Sequence, residues 1–378
     1  MSDAAATGHA DATPRPTGPE GGPPRDRRGR RLHDLRVSVT DRCNMRCRYC
    51  MPREVFGPGF VFVPRSELLR FEEISLIVAA FARAGVSKVR LTGGEPLLRA
   101  DLPDLVEQLV SVPGIDDIAL TTNGSLLAKH APRLRAAGLS RVTVSLDTLD
   151  AKVFGKFADT TVTLDSVLEG IAAAAAAGFG PIKINTVVRR GWNDSGAGSF
   201  ETIAGFAREH GHIARFIEYM DVGDTNGWRL DEVVAAAEIV ARIGARWPVE
   251  PVPANYPGEV ANRFRYADGR GEFGVISSIT QPFCGDCTRA RLSAIGEVYT
   301  CLFASRGTDL RAVVRSGAVD DQLAADLDEA VGALWSARAD RYSELRAGRA
   351  ADPADGPTDG PTAGRGPHHR VEMSYIGG

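Results

Sequence analysis

SVTDRCNMRCRYCMP, residues 38–52, carries cysteines at 43, 47 and 50 and decides how the rest of the chain is read. Three thiolates spaced C-x3-C-x2-C can each hold one iron of a four-iron cubane and leave the fourth iron open for chemistry. The next cysteine, Cys284, lies more than two hundred residues on, so this loop supplies no fourth thiolate. A structural zinc site is the competing reading. It wants four ligands with a second pair nearby, and His33 is the one histidine close to the loop.

The other three cysteines, Cys284, Cys287 and Cys301, form a second triad, C-x2-C-x13-C, within ITQPFCGDCTRARLSAIGEVYTCLF at 279–303. Two groups of three suit disulfide pairing within each group poorly. A zinc site completed by a fourth ligand stays open for this triad. Arg289 and Arg291 follow its C-x2-C directly.

Between Leu35 and Tyr219, β-branched runs alternate with amphipathic helical patterns, which predicts parallel strands joined by crossover helices. The expected strands are 36–40, 88–92, 117–122, 141–146, 182–188 and 215–219. The expected helices are 72–83, 102–110, 131–137, 164–177 and 200–210. The hexa-alanine run 172–177 reads as close packing. Six such units make an α/β fold, an incomplete (β/α)6 TIM-like barrel. A β-rich cluster-binding module follows at its C-terminal side, with strands at 290–294 and 298–303 returning Cys301 toward Cys284 and Cys287. Residues 221–247 read as helical, 248–274 as an irregular connector and 320–345 as a closing helix. The expected division is a disordered arm at 1–31, a partial barrel at 32–222, the second module at 223–345, a flexible linker at 346–369 and a tail at 370–378.

In parallel α/β folds, active groups gather at the carboxyl ends of strands. The cysteine loop follows the first expected strand, Thr92-Gly-Gly-Glu-Pro96 the second, Thr121-Thr-Asn-Gly124 the third, Ser145-Leu-Asp147 the fourth and Glu218-Tyr-Met220 the sixth. Arg36, Lys88, Arg90, Lys183 and Arg215 fall on strands, where an inward-facing cation needs an anionic partner. Edge exposure or a salt bridge is the alternative for each.

The formal net charge of −3, from 45 basic and 48 acidic residues, gives no global basic field to recruit nucleic acid or a membrane surface. No segment approaches a membrane span. The run DRRGRR at 26–31 reads as part of a solvated tail. Free thiols and oxygen-sensitive clusters place the expected site of action in the cytoplasm.

The loop at 43–50, with aromatic Tyr49 before its last cysteine, resembles the cluster loop of the radical S-adenosylmethionine (SAM) enzymes. With the TGGEP loop, the second triad and the two arginines, the chain resembles one family among them, the GTP 3′,8-cyclases of molybdenum cofactor biosynthesis. The likeness covers about residues 32–310 and the last eight. It departs at Thr288 and Ala290, in the long arm and in the linker. The resemblance implies two [4Fe-4S] clusters on the two triads, with SAM on the first and the purine of GTP on the second. It implies abstraction of the ribose 3′ hydrogen by a deoxyadenosyl radical and attack of C3′ on guanine C8. It assigns Tyr49, Gly94, Ser145 and Met220 to SAM, and Arg36, Lys88, Arg90, Thr121, Lys183, Arg215, Arg289 and Arg291 to GTP. Arg36, Arg289, Arg291 and the terminal Gly377 and Gly378 are the catalytic candidates. The implied partners are an electron donor of the flavodoxin or ferredoxin type and a downstream cyclic pyranopterin monophosphate synthase, with a homodimer as an open option. A radical SAM peptide modifier and a non-catalytic iron–sulfur or zinc scaffold are the rival readings.

Overall fold

The computed structural model describes residues 22–349 and 370–377, apart from the side chains of 347–349. Most of the expected arm and linker, and Gly378, lie outside the described residues. Six strands run parallel in chain order: β1 (Asp34–Ser38), β2 (Lys88–Thr92), β3 (Asp117–Thr122), β4 (Arg141–Ser145), β5 (Lys183–Val188) and β6 (Ile213–Glu218). Helices at Phe71–Arg83, Leu102–Val110, Leu127–Ala136, Leu164–Ala176 and Phe200–Glu209 connect them. This is the expected partial barrel.

Local chemistry explains these elements. Ile74, Ile77, Val78 and Phe81 bury one stripe of the first helix, and the Glu73 carboxylate accepts from the Arg70 N–H at 2.7 Å to cap its start. Thr163 caps Leu164–Ala176 in the reverse sense, its own hydroxyl accepting from the Ser166 N–H at 3.3 Å. On β1 and β2, Leu35, Val37, Val89 and Leu91 are fully buried. Alternation puts Asp34, Arg36, Lys88 and Arg90 on the opposite, inner face. Strands covered on both sides are normally apolar throughout, so this polar inner face needs a chemical reason.

The sheet does not close on itself. β10 (Arg289–Leu292) adds in parallel beside β1, and β9 (Glu272–Ile276) adds in parallel beside β6. Beyond them, β11 (Glu297–Tyr299) and β12 (Thr308–Asp309) extend one edge, while β8 (Asn262–Tyr266) and β7 (Val249–Val252) extend the other. The C-terminal part therefore lengthens both ends of the half-barrel and brings Cys284, Cys287 and Cys301 back beside its first strand.

Four expectations need correction. Residues 248–274 form most of the β7–β8–β9 meander instead of an irregular connector. Of 221–247, the α-helix covers only Ala236–Arg246. The closing helix is two, Asp320–Ala337 and Tyr342–Arg349, because Arg338 turns extended and buries its guanidinium. The DRRGRR run is anchored, not a free tail: Asp26 and Arg30 are buried while Arg27, Arg28, Gly29 and Arg31 stay exposed, and Arg30 Nε meets the Asp26 carboxylate at 2.5 Å. No described helix is long and apolar enough to cross a membrane.

Candidate active site

The loop after β1 is tied down by backbone bonds to the loop after β2. Gly94 N–H donates to the Thr40 carbonyl and Glu95 N–H to the Arg42 carbonyl, both at 2.8 Å. A Cβ on Gly94 would strike the backbone of Asp41 and Arg42, so this crossing requires glycine. The Cys50 and Met51 N–H groups both donate to the Cys47 carbonyl, at 2.9 and 2.8 Å, and curl the three cysteines together. Cys43 Sγ accepts from the Met45 N–H at 3.5 Å and from Asn123 Nδ2 at 3.9 Å. Donors to sulfur of this kind support and tune cluster ligands. Burial pushes the Cys43 thiol up to about 11, and burial with the neighbouring thiols pushes Cys47 and Cys50 up as well. These thiols therefore need the charge of bound iron to ionise.

Two buried carboxylates brace this loop. Glu95 accepts from Thr122 Oγ1 and the Asn123 N–H at 2.7 Å and from the Leu97 N–H at 3.0 Å; burial outweighs those bonds and raises its pKa to about 7. Asp147 accepts from the Tyr49 hydroxyl at 2.9 Å and the Val187 N–H at 2.8 Å, and burial raises it to about 6.

The second triad sits among cations. Arg30 Nη1 donates to the Cys284 carbonyl and Arg338 Nη1 to the Cys287 carbonyl, each at 2.7 Å, and Arg289 Nη2 reaches Cys287 Sγ at 3.6 Å. Burial would raise the Cys287 thiol, but the Arg289 and Arg338 charges bring it down to about 6. Cys301 is pushed up to about 11 by burial. Each triad thus offers three thiols, with N–H donors on Cys43 Sγ in the first and Cys287 Sγ in the second, a donor set that fits an iron–sulfur cluster. No three described His, Cys, Asp or Glu side chains converge on one metal ion. Thiolates that each take a different iron of a cubane do not have to.

A cavity of about 210 Å³, partly open to solvent, runs from Tyr49 to the second triad and is lined by Arg36, Tyr49, Lys88, Arg90, Thr121, Arg215, Met220, Arg289, Arg291 and the three C-terminal cysteines. The strand register explains its charge. Arg291, Arg36 and Arg90 stand abreast across β10, β1 and β2, and Arg289, Asp34 and Lys88 form the next row. The Arg36 side chain, on a strand whose backbone is paired on both sides, makes no hydrogen bond to another described residue. Burial, then the charges of Arg291, Arg289 and Arg90, hold its pKa well below the usual guanidinium value. Burial and a neighbouring guanidinium, Arg215 or Arg289, bring Arg90 to about 10 and Arg291 to about 9. Lys183, also half-buried, comes down to about 7 through burial and the charges of Arg215, Arg141 and Arg90. Buried like charges at this density call for a polyanion.

Of the other sequence candidates, Gly94 packs on the cysteine loop, and Ser145 pairs with Asn185 between β4 and β5. Gly94, Ser145 and Lys183 are absent from the cavity lining, as are the thiols of the first triad. The tail enters the site. Arg370 binds the Asp221 carboxylate at 3.0 Å, Met373 lines the cavity, and the Gly377 carbonyl accepts from Arg291. Sequence reasoning missed Tyr256, whose hydroxyl accepts from Lys88 Nζ at 2.8 Å, and Glu259, which pairs with Arg215 at 3.5 Å. Their one local signal was an aromatic and an acid flanking a Pro-Gly turn.

A cysteine loop at the mouth of an open parallel half-barrel, with a glycine loop bonded across it, defines a radical SAM enzyme. The Radical SAM superfamily profile matches residues 37–202, and the Molybdenum Cofactor Synthesis C profile matches 212–344. A crystal structure of Streptococcus suis SuiB bound to S-adenosylmethionine shares the fold, with a TM-score of 0.53 over 83% of this chain and 70% of that one at 16% identity. A protein named GTP 3′,8-cyclase from Acidothermus cellulolyticus is 65% identical, over 94% of this chain and 99% of its own length. Another of that name from Xanthomonas campestris is 50% identical over 86% of this chain and 93% of its own. The chain belongs to the GTP 3′,8-cyclase family. Membership in the radical SAM superfamily implies a [4Fe-4S] cluster and SAM.

Proposed function

We propose that this protein converts GTP to 3′,8-cyclo-7,8-dihydro-GTP, the first step of molybdenum cofactor biosynthesis, using two [4Fe-4S] clusters and SAM. The observation that carries the reading is the row of Arg291, Arg36 and Arg90 on the wall shared with the second triad. It supplies the charge a triphosphate needs beside a ligand set able to hold a purine.

When bound, the first cluster supplies the reductive cleavage of SAM that begins hydrogen abstraction. Cys43, Cys47 and Cys50 hold that cluster. Tyr49, oriented by Asp147, contacts SAM together with Gly94, Ser145 and Met220. Cys284, Cys287 and Cys301 would hold the second cluster, whose open iron would supply a site for guanine. Arg36, Arg90 and Arg291 neutralise phosphate oxygens through directional, charge-assisted bonds, and Arg289, which already reaches Cys287 Sγ, would add its charge to the same substrate. Thr121, Lys88 and Arg215 complete the set on the cavity wall, and Lys183, outside the lining, acts through its charge beside Arg90 and Arg215. The tail shuts water out where Gly377 meets Arg291. A flavodoxin- or ferredoxin-type donor and a downstream cyclic pyranopterin monophosphate synthase are the partners of this reading, and the cytoplasm its place. The working division keeps the partial barrel to 32–222 and the second cluster within 223–345.

The test is anaerobic reconstitution followed by incubation with SAM, dithionite and each nucleoside triphosphate. The reading expects about eight irons per chain and 5′-deoxyadenosine formed with cyclised product from GTP alone. Replacing Cys43, Cys47 and Cys50 by Ala should leave about four irons and no SAM cleavage. Tightly bound zinc with no iron uptake would overturn it.

A further inference from the structure

Just past Cys50 the chain presents an apolar tip to solvent, with Val61 85% exposed and Phe60 38% exposed. The tip is held rigidly. The rings of Phe56, Phe60 and Phe62 pack in sequence, with centroids 4.6 and 4.8 Å apart, and Phe62 lies against the guanidinium carbons of Arg42 and Arg46 at 5.5 and 5.4 Å. Arg46 also donates to the Phe56 carbonyl at 2.8 Å and to the Cys43 carbonyl at 2.9 Å. The Asp41 carboxylate accepts from the Val63 N–H at 2.7 Å. The exposed apolar surface is therefore bonded to the loop of the first triad on both sides of Cys43.

A rigid apolar tip open to water marks a contact surface, and the charge around it selects the partner. Arg42 is exposed against the tip, and Arg48 is exposed further along the same cysteine loop, over Trp192 at 5.8 Å. The nearby acids Asp159 and Glu67 are engaged by Arg53 and Arg311, at 2.9 and 2.8 Å. Residues 42–62 carry four arginines, Arg42, Arg46, Arg48 and Arg53, against the single exposed acid Glu54, so the segment is basic on a chain whose net charge is −3. A small apolar centre with a charged rim suits the brief encounters of electron transfer, where complementary charge sets the association rate.

We propose that this face docks an acidic one-electron donor of the flavodoxin or ferredoxin kind, an inference that rests on the radical SAM reading above. In each encounter the donor flavin passes from anionic hydroquinone to neutral semiquinone as the first cluster gains one electron. No bond or proton changes hands on this chain.

The experiment uses the full, anaerobically reconstituted chain and an acidic flavodoxin as probe. Val61→Glu and the double variant Arg42→Glu/Arg48→Glu are compared with wild type in iron content, in Kd for oxidised flavodoxin as salt is raised, and in SAM cleavage driven by dithionite or by flavodoxin hydroquinone. Wild-type binding should weaken with salt. Both variants should bind at least about tenfold more weakly and lose flavodoxin-driven cleavage, with iron content and dithionite-driven cleavage kept. Unchanged flavodoxin binding in Val61→Glu at full iron content overturns the proposal. So does a shift of a wild-type dimer to monomer with flavodoxin binding intact, which would make a second copy the occupant. Failure of wild type to cleave SAM with dithionite would instead sink the underlying reading.

Discussion

Arg36 on β1 and Arg291 on β10 stand directly opposite one another in parallel register, a half-buried and a buried guanidinium joined through a strand that enters the sheet more than two hundred residues later. The pair is unfavourable until an anion separates the charges. It couples the first part of the chain to the second at the substrate.

Arg36→Met should therefore divide stability from function. Removing one of several crowded cations relieves repulsion, so Tm of the nucleotide-free protein should rise or hold. GTP affinity should fall at least about tenfold, or ~1.4 kcal/mol. Calorimetric melting beside nucleotide titration checks both. A drop of several degrees in Tm with GTP affinity preserved would make Arg36 a structural residue.

Lys183 gives the site a pH dependence. Its pKa of about 7 in the free protein means that it is charged below pH 7 and largely neutral by pH 8.5. A bound triphosphate favours the charged form and raises that pKa, so binding above pH 7 must take up a proton. GTP affinity should weaken between pH 7 and 8.5, and titrations in buffers of different ionisation enthalpy should show proton uptake. Lys183→Met should flatten both trends. If uptake persists unchanged in that variant, another group is responsible.

The barrel was legible because parallel strands carry strong local patterns and place their motifs at one end. The cations were legible because alternation separated Arg36 and Arg90 from Leu35, Val37, Val89 and Leu91. What stayed hidden depends on distant pairing. Pro251 argued against a strand at 249–252, yet an edge strand tolerates it. The break after Ala337 carries no Pro or Gly. It is set by Arg338 reaching Asp26 at 3.5 Å and the Cys287 carbonyl at 2.7 Å. Asp147 was visible as a strand end, but its bond to Tyr49 spans 98 residues.

Glu259 pairs with Arg215 at 3.5 Å, with its side chain only 3% exposed. A phosphate that uses Arg215 must displace this carboxylate. Glu259→Gln should then tighten GTP binding by about fivefold, or ~1 kcal/mol, the order of a charged hydrogen bond freed for the ligand. Unchanged affinity would mean that the pair persists in the complex and that Arg215 supports the wall without touching substrate.

The tail offers the sharpest test, because its fit depends on one missing side chain. Gly377 has φ +73°, and a Cβ there would fall onto the Thr92 methyl while its carbonyl receives Arg291. Gly377→Ala should add left-handed strain of about 1–2 kcal/mol to that collision and push the tail out of the site. Product formation should drop at least about tenfold, ~1.4 kcal/mol of barrier, with iron content and SAM cleavage retained. Thr92→Ser removes the methyl, so the double variant Gly377→Ala/Thr92→Ser should recover part of the loss. Single-turnover assays of cyclised product against 5′-deoxyadenosine read the coupling directly. Full coupling in Gly377→Ala would show that the contact with Arg291 has no part in the reaction.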